Sequence, residues 1–396
     1  VDFAFGADDD AFRGEAREWL AAHRGDAVGR AWERELGSGG WIGIGWDDGG
    51  AYGGRRAALT QQVVWAEEYA RSRAPARAGH IGENLLAPTL IAYGSEAQKQ
   101  RYLPAIARGE EFWCQGYSEP GAGSDLAAVR TAAVRDGRTY RVTGQKIWTS
   151  LAQDADWCFV LARTEPARAG ARRHHGLSFL LVPMDQPGRI DVRPIRQLTG
   201  TSEFNEVFFD GAVAEDVVGG EGNGWRVAMG LLALERGVST LVQQIGFAEE
   251  LREIVRVAVE TADGGGGGGG GGGGSGEGAG DPVLRARLVR LWAELHTMRA
   301  NALRTLGTSE TDPGAPSVAK LLWGGWHRRL GELAVQVRGA AATVGPYDWD
   351  EERPYELDPL QRLFLFSRAD TIYGGSDEIQ RNIIAERVLG LPRESG

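Results

Sequence analysis

A change of hydrophobic period limits what this chain can become more than any other feature. Residues 8 to 110 carry apolar side chains at helical spacing, as at Phe12, Ala16, Trp19 and Leu20, which predicts helices that bury one face. From about Phe112 the pattern shortens. The runs 129–134, 140–143, 157–162, 177–182 and 204–209 are brief and are divided by Gly, Asp, Arg and Pro. That spacing predicts antiparallel strands and turns, a small barrel or sandwich. Helical spacing returns after Gly222, in the stretches 225–262, 282–306, 319–337 and 376–389. The expected fold is therefore α+β: an N-terminal helical domain (1–112), a middle β-barrel-like domain (113–220) and a C-terminal helical bundle (221–396). A chain of 396 residues is also longer than one hydrophobic core usually organises.

Local signals agree with this division. Ser95 followed by Gln98 is a capping-box pattern that opens a helix, and Asp136-Gly137 is a hairpin turn inside the β-region. Eleven glycines run from Gly264 to Gly274. Glycine at that density buries nothing and loses the most entropy on folding, so 264–280 reads as a flexible linker; an unassigned segment filled with glycine is the alternative.

Composition excludes several classes. Hydrophobic content of 42% with 25% charged residues belongs to a globular chain rather than a disordered one. No stretch approaches the roughly 18 apolar residues of a spanning helix, and the opening residues show no basic start before an apolar run, so a cytoplasmic protein is expected. Two cysteines, Cys114 and Cys158, exclude a disulfide framework and a cysteine zinc site, and no metal is predicted. A net charge of −10 makes nucleic acid an unexpected partner.

Four segments carry chemistry. Tyr117 to Asp125 (YSEPGAGSD) gathers Ser118, Gly123, Ser124 and several unpaired amides into one loop, suited to a ring system or a phosphate; a polar turn would look similar. Gly144 to Ser150 (GQKIWTS) sets the Trp148 face two residues from the Ser150 hydroxyl, suited to stacking on a flat cofactor; a packed core tryptophan is the plainer reading. Glu235, before Arg236, falls on the helical face of Leu231, Leu232 and Ala228. A carboxylate there suits a general base near neutrality, or else a structural ion pair. Gly374, Gly375 and Ser376 precede a helix with Ile379, Ile383 and Ile384 on one side, giving Ser376 as N-cap.

In this order and at these separations the four segments resemble the acyl-CoA dehydrogenase family, across nearly the whole chain. The resemblance implies a helical N-terminal domain, a β-barrel-like middle domain and a C-terminal four-helix bundle, with FAD bound between the last two. It implies oxidation of an acyl-CoA thioester (or a carrier-protein thioester) to the trans-2-enoyl product, with α-proton abstraction and hydride transfer to flavin N5. Electrons would pass to an electron-transferring flavoprotein, and the assembly would be a homotetramer or homodimer. By motif position Ser118 meets the flavin pyrimidine, Trp148 packs on the ring and Ser150 approaches N5. Gly123 and Ser124 belong to the same loop, with Ser124 also near substrate, and Ser376 and Glu378 contact FAD in the oligomer. Many members carry the catalytic Glu where this chain has Gly374. The isovaleryl-CoA dehydrogenase branch is similar to this chain in having a small residue there and its base on the helix after the β-domain. This implies Glu235 as the base, the Gly374 N–H as an oxyanion donor, Arg236 beside the substrate, and room for a branched or bulky acyl group.

Two family segments are altered. The Arg-x-x-Phe-Gly stretch, whose Arg meets FAD pyrophosphate across subunits, is replaced by the glycine run and by Arg285, Arg287 and Arg290 without the motif. The Gln…Gly-Gly-x-Gly stretch stands as Gln336-Val337-Arg338-Gly339-Ala340-Ala341. Two alternatives follow: a flavin monooxygenase or oxidase on the same fold, or a non-catalytic subunit of a hetero-oligomeric dehydrogenase.

Overall fold

The change of period appears directly in the architecture. The computed structural model describes residues 5–166, 170, 172–234, 238–264, 280–305, 314–345 and 357–392, apart from the side chains of 233, 234, 238–241 and 262–264. These form two compact units, residues 5–196 with 202–239, and 197–201 with 240 onward.

The first unit opens with helices α1 (Ala7–His23), α2 (Gly29–Ser38), α3 (Leu59–Ser72), α4 (Ala87–Tyr93) and α5 (Glu96–Ala107). The predicted stripe of α1 is the buried one: Phe12, Ala16 and Leu20 pack on Trp32, Leu36, Trp41 and Val64. Ser95 caps α5 as its spacing predicts, with reciprocal hydrogen bonds to Gln98.

Eight strands follow among the described residues: β1 (Trp113–Gly116), β2 (Ala132–Asp136), β3 (Thr139–Ser150), β4 (Trp157–Arg163), β5 (Leu177–Pro183), β6 (Ile190–Ile195), β7 (Phe204–Ala214) and β8 (Asp216–Val218). Their order is β6-β7-β3-β2-β4-β5-β8, with β1 also paired to β4. The antiparallel expectation holds for most pairs and needs correcting at two. β1 runs parallel to β4, setting Cys114 opposite Cys158, and β2 meets β4 in parallel at Ala132 and Arg163. β1 has only four residues, too few to reveal a period. The two cysteines are buried free thiols. The Asp136–Thr139 turn closes the β2–β3 hairpin, with Gly137 at φ +63°.

β3 extends well beyond the expected 140–143, and Gly144 makes this possible. Its φ is +154°, and a Cβ there would lie 2.7 Å from Thr131 Cα. Only a residue without a side chain lets the two backbones approach so closely. Helix α6 (Gly224–Leu234) then packs Val227, Ala228 and Leu231 against Phe159, Leu161, Phe179 and Leu181 of β4 and β5.

The second unit holds α7 (Val238–Gly264), α8 (Pro282–Thr305), α9 (Ala315–Gln336), α10 (Pro359–Phe366) and α11 (Asp377–Ile383). Its core joins Phe247, Leu251 and Ile254 of α7 to Leu288, Leu291 and Leu295 of α8 and to Trp323, Trp326 and Leu330 of α9. α10 escaped the periodicity because it is two turns long, yet its start is well specified: Asp358 accepts from the amides of Leu360 and Gln361, and Pro359 follows it. Of the segment 264–280 read as a flexible linker, residues 265–279 lie outside the described residues. No described helix is long and apolar enough to cross a membrane.

Candidate active site

In the first unit the loop after β1 and the end of β3 are tied together. Glu119 and Ala122 exchange backbone hydrogen bonds, 3.1 and 3.0 Å, making a tight turn at the Pro-Gly step. Beside it, the Ile147 amide donates to the Ser118 carbonyl at 2.9 Å. Ser118 is thereby held alongside the segment carrying Trp148 and Ser150.

A buried charge pair fixes this arrangement from below. Lys146, with no exposed surface, donates to the Glu119 carboxylate (2.9 Å) and to the carbonyls of Tyr117 (3.0 Å) and Leu161 (2.8 Å). Glu119 also accepts from the amides of Arg130 (2.7 Å) and Thr131 (2.8 Å). All three ammonium donors are satisfied, which offsets the cost of burying the charge. Burial pushes Lys146 down to about 8, with Glu119 pulling the other way. Burial pushes the Glu119 carboxyl up, but Lys146 and the hydrogen bonds outweigh it and hold the group below its usual range.

Beyond Lys146 the β3–β7 ladder slips between Lys146 and Thr149. Trp148 lies in this bulge at φ +60°, and its ring is 56% exposed rather than buried in the sheet. An edge contact from Phe204 steadies it, ring centroids 6.1 Å apart at 83°. The plainer reading, a tryptophan packed in the core, therefore fails for a definite reason: bulges re-aim side chains out of a sheet. The Ser118 and Ser150 hydroxyls are half-buried and make no hydrogen bond among the described residues, and neither do the amides of Gly123 and Ser124. An open indole face with free hydroxyl and amide donors beside it fits a flat heteroaromatic ring with polar edges, such as the flavin of FAD.

In the second unit, Gly374 and Gly375 form a left-handed turn (φ +65° and +88°) leading into α11. Ser376 is the N-cap, accepting from the Ile379 amide at 3.4 Å. Glu378 is exposed; its own amide and the Ser376 hydroxyl hold its carboxyl below the usual range. The Gly374 amide donates to no protein group among the described residues, while the Gly374 and Gly375 carbonyls accept from Gln380 Nε2 at 3.1 and 3.3 Å. Of the expected site residues, Ser118, Trp148 and Ser150 converge in one unit, and Gly374, Ser376 and Glu378 in the other. Glu235 and Arg236 lie outside the described residues. Sequence reading gave no role to Lys146 or Glu119. Both sit within the quoted motifs, and a lysine inside one of them, in a chain with so few lysines, was the available signal.

The chain matches the acyl-CoA dehydrogenase N-terminal domain over residues 9–110, the middle domain over 114–212 and the C-terminal domain over 222–389. It is 50% identical over 405 residues to the acyl-CoA dehydrogenase IpdE1 of Mycobacterium tuberculosis, covering 97% of this chain and 98% of that one. Among solved structures it resembles the steroid acyl-CoA dehydrogenase Tcur3481–Tcur3483, with a TM-score of 0.81 and 28% identity over 100% of both chains. It resembles the ChsE4–ChsE5 complex of M. tuberculosis at 0.80 and 29%, over 99% of this chain and 100% of that one. With all three domains matched and half its residues shared with a named relative, this chain belongs to the acyl-CoA dehydrogenase family of FAD-dependent oxidoreductases.

Proposed function

We propose that this chain catalyses α,β-dehydrogenation of a bulky acyl-CoA thioester, with Glu235 as base and the Gly374 N–H on the thioester oxygen. The observation that carries the reading is Trp148, turned out of the sheet beside the free Ser118 and Ser150 hydroxyls in a chain of this family. Ser118, Gly123, Ser124, Trp148 and Ser150 hold the cofactor, with Ser376 and Glu378 completing its contacts in the oligomer. FAD, when bound, accepts the hydride that leaves the substrate β-carbon.

The remaining chemistry belongs to the chain. A thioester α-proton is too weakly acidic for a carboxylate in water. By its spacing in the sequence Glu235 would fall on the face of Leu231, Leu232 and Ala228, and apolar surroundings make a carboxylate more basic. A fixed amide on the thioester oxygen stabilises the negative charge that develops as the proton leaves. Arg236 either orients Glu235 or meets the CoA. Glycine at position 374 leaves room for a large acyl group, in keeping with the steroid acyl-CoA dehydrogenase this chain resembles. The reading includes a cytoplasmic enzyme of three domains (1–112, 113–220, 221–396), an electron-transferring flavoprotein as acceptor, and a homotetramer or homodimer.

One observation favours a second reading of the assembly. Both resembled structures name two chains, Tcur3481 with Tcur3483 and ChsE4 with ChsE5, and the family's pyrophosphate-binding and Gly-Gly stretches are altered here. A second, different chain would then complete the FAD site.

Anaerobic titration of the purified protein with straight-chain, branched and polycyclic acyl-CoA thioesters tests the function. Bleaching of the oxidised flavin band by the polycyclic class is expected, and Glu235→Gln should keep FAD yet lose the bleaching. Undiminished bleaching in that variant would sink the assignment of the base. Protein that takes up FAD only after a second chain is added would establish the hetero-oligomer.

A further inference from the structure

The second unit buries a charged cluster immediately before Gly374, and the reaction as described does not use it. Asp370 is 1% exposed and lies in the turn between α10 and α11. Its Oδ2 accepts from His327 Nδ1 of α9 at 2.5 Å, and its Oδ1 accepts from the Tyr373 hydroxyl at 2.5 Å. The other ring nitrogen of His327 meets Glu250 of α7 at 2.7 Å. Lys320 of α9 donates to the Asp370 carbonyl, with its ammonium 3.9 Å from the Trp323 ring centroid and 4.7 Å from that of Tyr373. Burial pushes His327 down, but the two carboxylates lift it to about 9. It is therefore an imidazolium at neutral pH and balances Asp370.

A two-glycine turn is the backbone least able to fix itself, because glycine populates φ of either sign. This one is gripped on both sides. After the turn, Gln380 holds the carbonyls of Gly374 and Gly375, and a Cβ on Gly375 would lie 2.4 Å from Gln380 Nε2. Before it, Tyr373 is pinned by its hydroxyl to Asp370, and Asp370 by His327 and Lys320 to α9. Burying a carboxylate is costly unless it is paired, and here both oxygens are spent on the residues that set where residue 374 begins.

We propose that Asp370 is a positioning residue: through Tyr373 it aims the Gly374 N–H at the thioester oxygen, with His327 and Lys320 anchoring it to α9. The inference rests on the reading that Gly374 supplies the oxyanion donor. Such a donor works only when its direction is fixed before the charge develops, and small misplacements at a reacting centre cost about a hundredfold.

The test uses FAD-loaded protein, with its partner chain if one is needed, and the variants Tyr373→Phe and Asp370→Asn. Tyr373→Phe removes one hydroxyl and keeps the ring, so it reports even if Asp370→Asn fails to fold. Expected for Tyr373→Phe are unchanged FAD content, a KM within threefold of wild type, and flavin reduction slowed about ten- to hundredfold in rapid mixing. A second readout needs no turnover. The enolate of a bound 3-oxoacyl-CoA is stabilised by the same amide, so the pH at which the bound analogue ionises should rise by about one unit or more. Equal reduction rates and equal analogue ionisation in wild type and Tyr373→Phe, even with a lower melting temperature, would reduce the cluster to a structural role. A wild type that no thioester reduces would overturn both this inference and the functional reading beneath it.

Discussion

The Lys146–Glu119 pair under the candidate flavin loop makes a sharp, pH-resolved prediction for Glu119→Gln. A lysine whose folded value, about 8, lies below the ordinary 10.5 binds its proton less tightly when folded. It therefore costs stability below pH 8, and that cost fades as pH rises towards 10.5. Glu119 is what limits the cost. Replacing it by Gln leaves a buried ammonium with two carbonyls and no counter-charge, and its value falls further. Breaking a buried pair from one side costs about 3–5 kcal/mol, but only while the amine keeps its proton. At pH 6 the variant should lose about 3 kcal/mol, since deprotonation caps the penalty. By pH 9 the amine is mostly neutral in both proteins, and the floor is one amide hydrogen bond of about 1 kcal/mol. That floor reflects the two amides, Arg130 and Thr131, that Glu119 serves, only one of which a Gln oxygen satisfies well. At about 2–4 °C per kcal/mol for a body of this size, the melting gap is roughly 6–12 °C at pH 6 and roughly 2–4 °C at pH 9. Thermal melts of both proteins with excess FAD at pH 6, 7, 8 and 9 measure it. His327 and Lys320 titrate alike in both and cancel. A gap that stays constant across that range would refute the reasoning.

Trp148→Ala should leave the unliganded fold within about 0.5 kcal/mol of wild type, because the ring is exposed, while weakening FAD about tenfold or more through lost stacking; fluorescence on FAD release reads the affinity, and unchanged binding would remove Trp148 from the site. Gly144→Ala should cost about 3 kcal/mol or more, since the new methyl meets Thr131 backbone rather than a yielding side chain; a variant melting within 3 °C of wild type would show that β2 and β3 can separate there.

What the sequence disclosed follows from how far apart the cooperating residues lie. Period shifts, the Ser95 cap, the Asp136 turn and the Ser376 cap are each written within a few residues, and each is found where its pattern falls. β1 and α10 were illegible because four and eight residues span too little of either period. Pattern alone left Trp148 open between a packed core residue and a cofactor face, for another reason. A bulge is a mismatch between two strands, here between Lys146–Thr149 and Val207–Asn205, and neither strand alone records it.

The same argument explains why the Asp370 cluster escaped notice. His327 and Asp370 are 43 residues apart and His327 and Glu250 are 77 apart, and nothing local marks any of the three. Gly374 was legible as a departure, a glycine at the place where the family resemblance implies that many members carry the base. A side chain at 374 would itself help to brace the turn, and glycine gives none. With glycine there, the turn depends on what holds its neighbours, and Asp370 and Gln380 do so from opposite sides. Position 374 thus trades a side chain for space, and the direction of its amide becomes a property of the bundle rather than of the motif.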